Sequence, residues 1–207
     1  FYRRKLKESI HDKDSIYNIY YHKIGTTEAE DKLVYNTAKT DIHYNFFTYD
    51  DKLYVFEYDL KTQIRKYYYS YLLDGDYRFE KFYESDDNFK YFCFYNNKIY
   101  FSKRNYDWGN LCSIDLNNNN VESVVIPQVY GHLLIGSYIT DDYIFCKYLY
   151  KGNFYVSTYD SSGNFIRKTF LPDAVTCSFE FYDESSKSLY LELKSYTLSR
   201  QNFKIDV

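Results

Sequence analysis

The chain has 207 residues, 23% of them aromatic, with 29 tyrosines, 17 phenylalanines, 2 prolines and no methionine. A formal net charge of -3 leaves neither a polyanion nor an acidic membrane surface as an obvious partner, and no stretch approaches the ~20 apolar residues of a membrane helix. This length suffices to bury roughly 70% of the surface its unfolded form exposes, and tyrosine and phenylalanine favour a pleated, half-buried surface. The start FYRRKLKESI has no apolar signal-peptide core, and the chain lacks an initiator methionine, so an internal piece of a longer protein is expected. The basic residues Arg3, Arg4, Lys5 and Lys7 read as a solvated loop.

Taken in chain order, the β-rich runs repeat. The strands NIYYHKIG and DKLVYN come first, as half a unit over residues 16–36. A full unit over 44–83 reads YNFFTY, KLYVFEY, IRKYYYSYL and YRFEKFY. The next, over 89–127, reads KYFCFY, KIYFSKR, NLCSIDL and VESVVIP. A third, over 132–171, reads LLIGSYI, DYIFCKY, NFYVSTYD and FIRKTFLP, and an incomplete unit over 176–207 reads SFEFYD, SLYLEL and NFKIDV. The second runs begin at Lys52, Lys98, Asp142 and Ser188, spaced 46, 44 and 46 residues apart. A period near ~45 with four strands per unit is the signature of a β-propeller. The fold class is therefore all-β, with consecutive four-stranded antiparallel blades. Such blades cover one another, so this partial set would leave apolar sheet open and is expected to self-associate when expressed alone.

Turn residues punctuate the joints: Asp50-Asp51, Asn96-Asn97, the asparagines from Asn117 to Asn120, and Ser161-Ser162-Gly163. The carboxylate pairs Asp50-Asp51, Asp86-Asp87 and Asp141-Asp142 fall at such turns. An aspartate there bonds its own backbone two residues on, which explains the pairs without catalysis. Cys93, Cys112, Cys146 and Cys177 sit in apolar runs without C-x-x-C spacing, as buried free thiols of a reducing compartment would, and no zinc ligand set is present. His11, His22, His43 and His132 are scattered, with no pair spaced for metal, and His22 is expected to hold a structural hydrogen bond on a strand. There is no G-x-S-x-G elbow, and no nucleic-acid recognition motif, so the chain carries no catalytic residue, metal site or cofactor site of its own.

Residues 18–31, NIYYHKIGTTEAED, resemble a segment of the prolyl oligopeptidase family in Tyr20, Tyr21, His22, Gly25, Thr26, Glu30 and Asp31. Phe1-Tyr2 resembles the Phe-Tyr pair that precedes it there. YDDKLYV and KSYTLSRQNFKIDV are similar, more loosely, to later stretches of the family, while Ile42 stands where the family has a tryptophan. The resemblance implies a seven-bladed propeller over an α/β-hydrolase domain not present in this chain. The whole would be a cytoplasmic, monomeric serine peptidase that cuts short peptides after proline, with the propeller restricting entry. It also implies substrate contacts at Phe1, His43, Arg65 and Tyr69. The alternative is a non-catalytic propeller that binds a protein partner, or an inactive relative.

Overall fold

The computed structural model describes residues 1–5, 17–36, 41–49, 51–72, 75–85, 89–103, 108–118, 120–172, 176–196 and 199–207. The expectations placed on Lys7, His11, Asp50, Asp86, Asp87 and Asn119 lie outside these residues. The described residues contain eighteen strands and one turn of 3-10 helix, in two units, Phe1–Asp87 and Asn88–Val207. No helix among them is long and apolar enough to cross a membrane.

The first unit holds two antiparallel sheets. One runs β1 (Tyr2–Lys5), β2 (Tyr17–Tyr21), β3 (Lys32–Asn36). The other runs β4 (Ile42–Tyr49), β5 (Lys52–Asp59), β6 (Arg65–Tyr71), β7 (Glu80–Ser85). Strand β1 corrects the sequence reading, in which residues 3–5 were a solvated loop. They pair instead with Ile19, Asn18 and Tyr17, so the first sheet has three strands. Their charges misled because an edge strand tolerates basic side chains, which discourage pairing with another chain.

The second unit holds three sheets. They are β8 (Phe89–Tyr95) to β11 (Val121–Ile126) through β9 (Lys98–Lys103) and β10 (Asn110–Asp115); β12 (Leu133–Ile139) to β15 (Phe165–Phe170) through β13 (Tyr143–Tyr150) and β14 (Asn153–Asp160); and β16 (Thr176–Asp183), β17 (Ser188–Lys194), β18 (Gln201–Asp206). The all-β class and its consecutive four-stranded antiparallel sheets are as the repeats require. In the first strand of each sheet a bulge skips one residue of the ladder, at Phe92, Ile135 and Glu180. Such an extra residue bends the strand and increases its twist. Asn96 and Asn97 both adopt positive φ, 47° and 56°, as a tight hairpin turn between β8 and β9 demands.

Neighbouring sheets of the second unit are tied at a separation of one repeat. Lys90 Nζ donates to the Ile135 carbonyl at 3.1 Å, Tyr95 Oη to Asp141 Oδ1 at 2.8 Å, and Lys187 Nζ to Asp142 Oδ2 at 2.7 Å. Asp141 and Asp142 thus bond the sheets on either side, contrary to the expected local turn role. Thr140 already closes that turn by accepting the Tyr143 N–H at 2.9 Å, which leaves both carboxylates for other partners. The local role belongs to Asp115, Asp160 and Asp183, each accepting an N–H two residues on at 2.9–3.0 Å. Trp108, the one tryptophan, packs edge-on 5.9 Å from the exposed ring of Tyr130.

In the first unit, Tyr44, Leu53 and Val55 of the four-stranded sheet bury themselves against Ile19 and Val34 of the other. Beside them Tyr35 Oη donates to Glu57 Oε1 at 2.9 Å. Burial and then Glu57 push the Tyr68 phenol up to about 12, and the same causes raise Tyr35 further. A raised phenol stabilises the fold fully below its unfolded value near ~10 and ceases to do so as pH rises through the folded value. In an alkaline titration the first unit should therefore lose stability between pH ~10 and about 12, with phenolate absorbance rising together with unfolding. Gradual ionisation of all tyrosines with the fold intact would contradict this.

Candidate functional site

Antiparallel register decides which of the four implicated side chains can meet. His43 of β4 lies opposite Tyr58 of β5, which lies opposite Arg65 of β6. Directly opposed residues share a face, so His43 and Arg65 flank Tyr58 on one side of the sheet. That side is the one turned away from the first sheet, because Tyr44, Leu53 and Val55 occupy the other. The Arg65 guanidinium sits 4.5 Å from the centre of the Tyr58 ring, and His43 is exposed. The row thus presents a cation held on an aromatic plane beside an exposed imidazole.

Tyr69 shares the face of Arg65 four residues further along β6, about 13 Å away at a strand's usual rise. Its hydroxyl donates to Glu80 Oε2 at 2.7 Å, and Lys52 Nζ lies 5.0 Å over its ring. The Glu80 bond, then burial, pushes its phenol up to about 12, so the hydroxyl is a donor at neutral pH and no base.

Phe1 stands apart from this row. It packs at 5.4 Å against Tyr21, which ends β2, and at 6.0 Å against Tyr77 in the connection from β6 to β7. That connection leaves the end of the sheet opposite to the one carrying His43 and Arg65. The structure therefore brings His43 and Arg65 together, sets Tyr69 on the same face, and places Phe1 elsewhere. Around Phe1 lies a cavity of about 320 Å³ lined by Phe1, Tyr21, Lys32, Leu72, Gly75 and Tyr77. Sequence reasoning did not single out Lys32, Leu72, Gly75 or Tyr77. The available signal was that Lys32 and Tyr77 lie one repeat apart.

In the segment 18–31, five of the residues that mark it, His22, Gly25, Thr26, Glu30 and Asp31, have a local role. Gly25 takes φ +92°, and Thr26 donates its N–H to the Lys23 carbonyl at 3.1 Å, closing the turn after β2. The Thr27 N–H and hydroxyl both donate to Glu30 Oε1, at 3.0 and 2.9 Å, which caps the 3-10 turn at Glu28–Glu30 and lowers the Glu30 carboxyl below its ordinary value. Asp31 then accepts from Tyr2 Oη and meets His22 Nδ1 at 2.7 Å, joining β1, the end of β2 and the start of β3. The structural hydrogen bond expected of His22 is this one.

Burial pushes the Cys93 thiol up to about 12 and the Cys112 thiol up to about 11, so neither offers thiolate at neutral pH. No group of three His, Cys, Asp or Glu side chains is placed to hold a metal ion among the described residues.

A family model described as "Prolyl oligopeptidase, N-terminal beta-propeller domain" matches residues 1–207. Among solved structures, prolyl oligopeptidase B from Galerina marginata, bound to a 35mer hydrolysis and macrocyclization substrate, has a TM-score of 0.77 at 18% identity. The match covers 99% of this chain and 30% of that one. Oligopeptidase B from Leishmania major gives 0.67 at 11% identity, again over 99% of this chain and 30% of that one. Oligopeptidase B from Trypanosoma brucei gives 0.61 at 13%, over 93% and 31%. This chain thus spans less than a third of the length of these solved proteins. No curated protein matches by sequence.

The Asp31 side chain is fully buried while that of His22 is 37% exposed, so their removal should differ in effect. Asp31→Ala is expected to cost about 2 kcal/mol by stripping a charged acceptor from a half-buried phenol and an imidazole. His22→Ala should cost less, since water replaces the missing partner. Thermal melts of both variants check the order, and equal or reversed losses would contradict the buried joint.

Proposed function

Because this chain belongs to the prolyl oligopeptidase family, matching its N-terminal β-propeller domain, we propose that it is the substrate-gating part of a serine peptidase that cuts short peptides after proline. The family match over residues 1–207 is the observation that carries this reading. In it, blades over 44–83, 89–127 and 132–171, with partial blades at 16–36 and 176–207, cover an α/β-hydrolase domain located elsewhere in a longer, monomeric protein. The chemistry belongs to that domain, since the 207 residues contain no G-x-S-x-G elbow to expose a serine between a base and oxyanion donors. Four cysteines without disulfide or metal spacing support a cytoplasmic setting.

A gate acts by size and by contact. Arg65, seated on Tyr58 beside His43, offers a cation to a carbonyl or carboxylate of a passing peptide, and Tyr69 offers a hydroxyl and a ring. Phe1 supplies an apolar surface from its separate position. Each is proposed to bind substrate without taking part in bond cleavage.

Two measurements test this. Residues 1–207 alone should not hydrolyse a proline-containing reporter, whereas the longer protein should, and it should discriminate strongly between short peptides and ones of protein length. Hydrolysis with no dependence on peptide length would defeat the gating role. In the longer protein, Phe1→Ala and Arg65→Ala should each raise KM more than they lower kcat. Removing one aromatic or charged interaction with substrate should raise it roughly tenfold. An unchanged KM for both long and short reporters would return these residues to a structural role.

A further inference from the structure

The residues at the start of the chain and in segment 18–31 divide between the two faces of the first sheet. Tyr2 lies opposite Tyr20, Tyr21 lies opposite Lys32, and neighbours along a strand point to opposite faces. Tyr2, Tyr20, His22 and Asp31 therefore share one face, and Phe1 and Tyr21 share the other. The contacts follow this division. On the first face the Tyr2 ring stacks on Tyr20 at 6.0 Å, its hydroxyl donates to Asp31, and Asp31 meets His22 Nδ1 at 2.7 Å. On the second, Phe1 packs at 5.4 Å against Tyr21 and at 6.0 Å against Tyr77.

The rest of the segment delivers Asp31 to Tyr2. The turn at Gly25 and Thr26 reverses the chain after β2, and the 3-10 turn capped by Thr27 and Glu30 ends directly at Asp31. The Asp31 side chain is fully buried, so little water competes for this charged acceptor and its hold on the Tyr2 hydroxyl is strengthened. Strand β1 needs such a hold. It is four residues long and stands at the edge of its sheet, paired only with β2 among the described residues. A strand that short, paired on one side, opens easily at its end, and Phe1 stands immediately before its first residue. Fixing the ring and hydroxyl of Tyr2 on one face therefore fixes the direction in which Phe1 leaves on the other.

We propose that segment 18–31 is a clasp that holds Phe1 in its ring cluster, with Asp31 as the positioning residue and Tyr2 as the handle it grips. Asp31 acts only through Tyr2. This gives the stretch on which the family resemblance rests a single task, in which Tyr21 receives Phe1 and the other marked residues seat Tyr2. That Phe1 then meets a peptide rests on the peptidase reading; the clasp does not.

Hydrogen exchange and peptide binding, both measured on the longer protein, test this. Tyr2→Phe removes the hydroxyl and keeps the ring on Tyr20. It should speed amide exchange in residues 2–5 roughly threefold, the loss of one modest hydrogen bond, and leave exchange in β13 unchanged. By calorimetry it should weaken binding of a proline-containing peptide by roughly the same factor, and in turnover the loss should fall on KM rather than kcat. Asp31→Asn weakens the acceptor without changing its shape and should move exchange and binding in the same direction. In a Phe1→Ala background Tyr2→Phe should weaken binding no further, since the side chain it positions is gone. Unchanged exchange in residues 2–5 would overturn the clasp. Binding that falls with Phe1→Ala but ignores Tyr2→Phe, or an equal loss with and without Phe1, would overturn the positioning role of Asp31. A longer protein that binds no peptide yet shows the faster exchange would remove the peptidase reading and leave the clasp standing.

Discussion

A four-stranded antiparallel sheet of six- to eight-residue strands has two apolar faces and can bury neither by itself, so each sheet here depends on a neighbour. Because each sheet is one repeat of sequence, side chains that meet between neighbours lie about one repeat apart in the chain. Lys90 and Ile135, Tyr95 and Asp141, and Lys187 and Asp142 are all separated by 45 or 46 residues. The same spacing relates Lys32 to Tyr77 across the cavity of the first unit. Repetition thus governs where polar pairs form as well as where strands lie.

Tyrosine suits that arrangement. Its ring fills the space between sheets, and its hydroxyl needs a partner once buried, which makes the packing directional. Tyr35 and Tyr68 converge on Glu57, Tyr95 reaches Asp141, and Tyr69 reaches Glu80. With no methionine available to fill irregular gaps, ring-on-ring contacts carry much of the filling, as in the stacked pairs Phe47–Tyr54 and Tyr148–Tyr155.

The fold was legible in the sequence because period and turn chemistry are local signals. The runs KIYFSK and NFYVSTYD could be placed by β-propensity, and Asn96-Asn97 by the positive φ that asparagine tolerates. Strand β1 was not legible, since Arg-Arg-Lys at an edge has the composition of a loop and only pairing with Tyr17–Tyr21 distinguishes them. The role of Asp141 and Asp142 was hidden for a similar reason. Whether a turn carboxylate bonds its own backbone depended on Thr140 having taken that N–H first. At the candidate site, residue types were readable but not their grouping. His43 and Arg65 are 22 residues apart and meet through Tyr58 only because of the β4–β5–β6 register, while for Lys32 and Tyr77 the one-repeat spacing was the sole signal.

The lone tryptophan has an optical consequence. Trp108 belongs to the second unit, at the entry to β10, with Tyr130 against its edge and its backbone carbonyl accepting the Leu134 N–H at 2.9 Å. The first unit contains tyrosine but no indole. Indole emission therefore reports the surroundings of the β9–β10 and β11–β12 connections of the second unit. The near-ultraviolet signal of the first unit comes from phenols and phenyl rings alone. The second unit thus carries a label of its own supplied by the native sequence, and its coming apart can be followed by indole emission without attaching a dye.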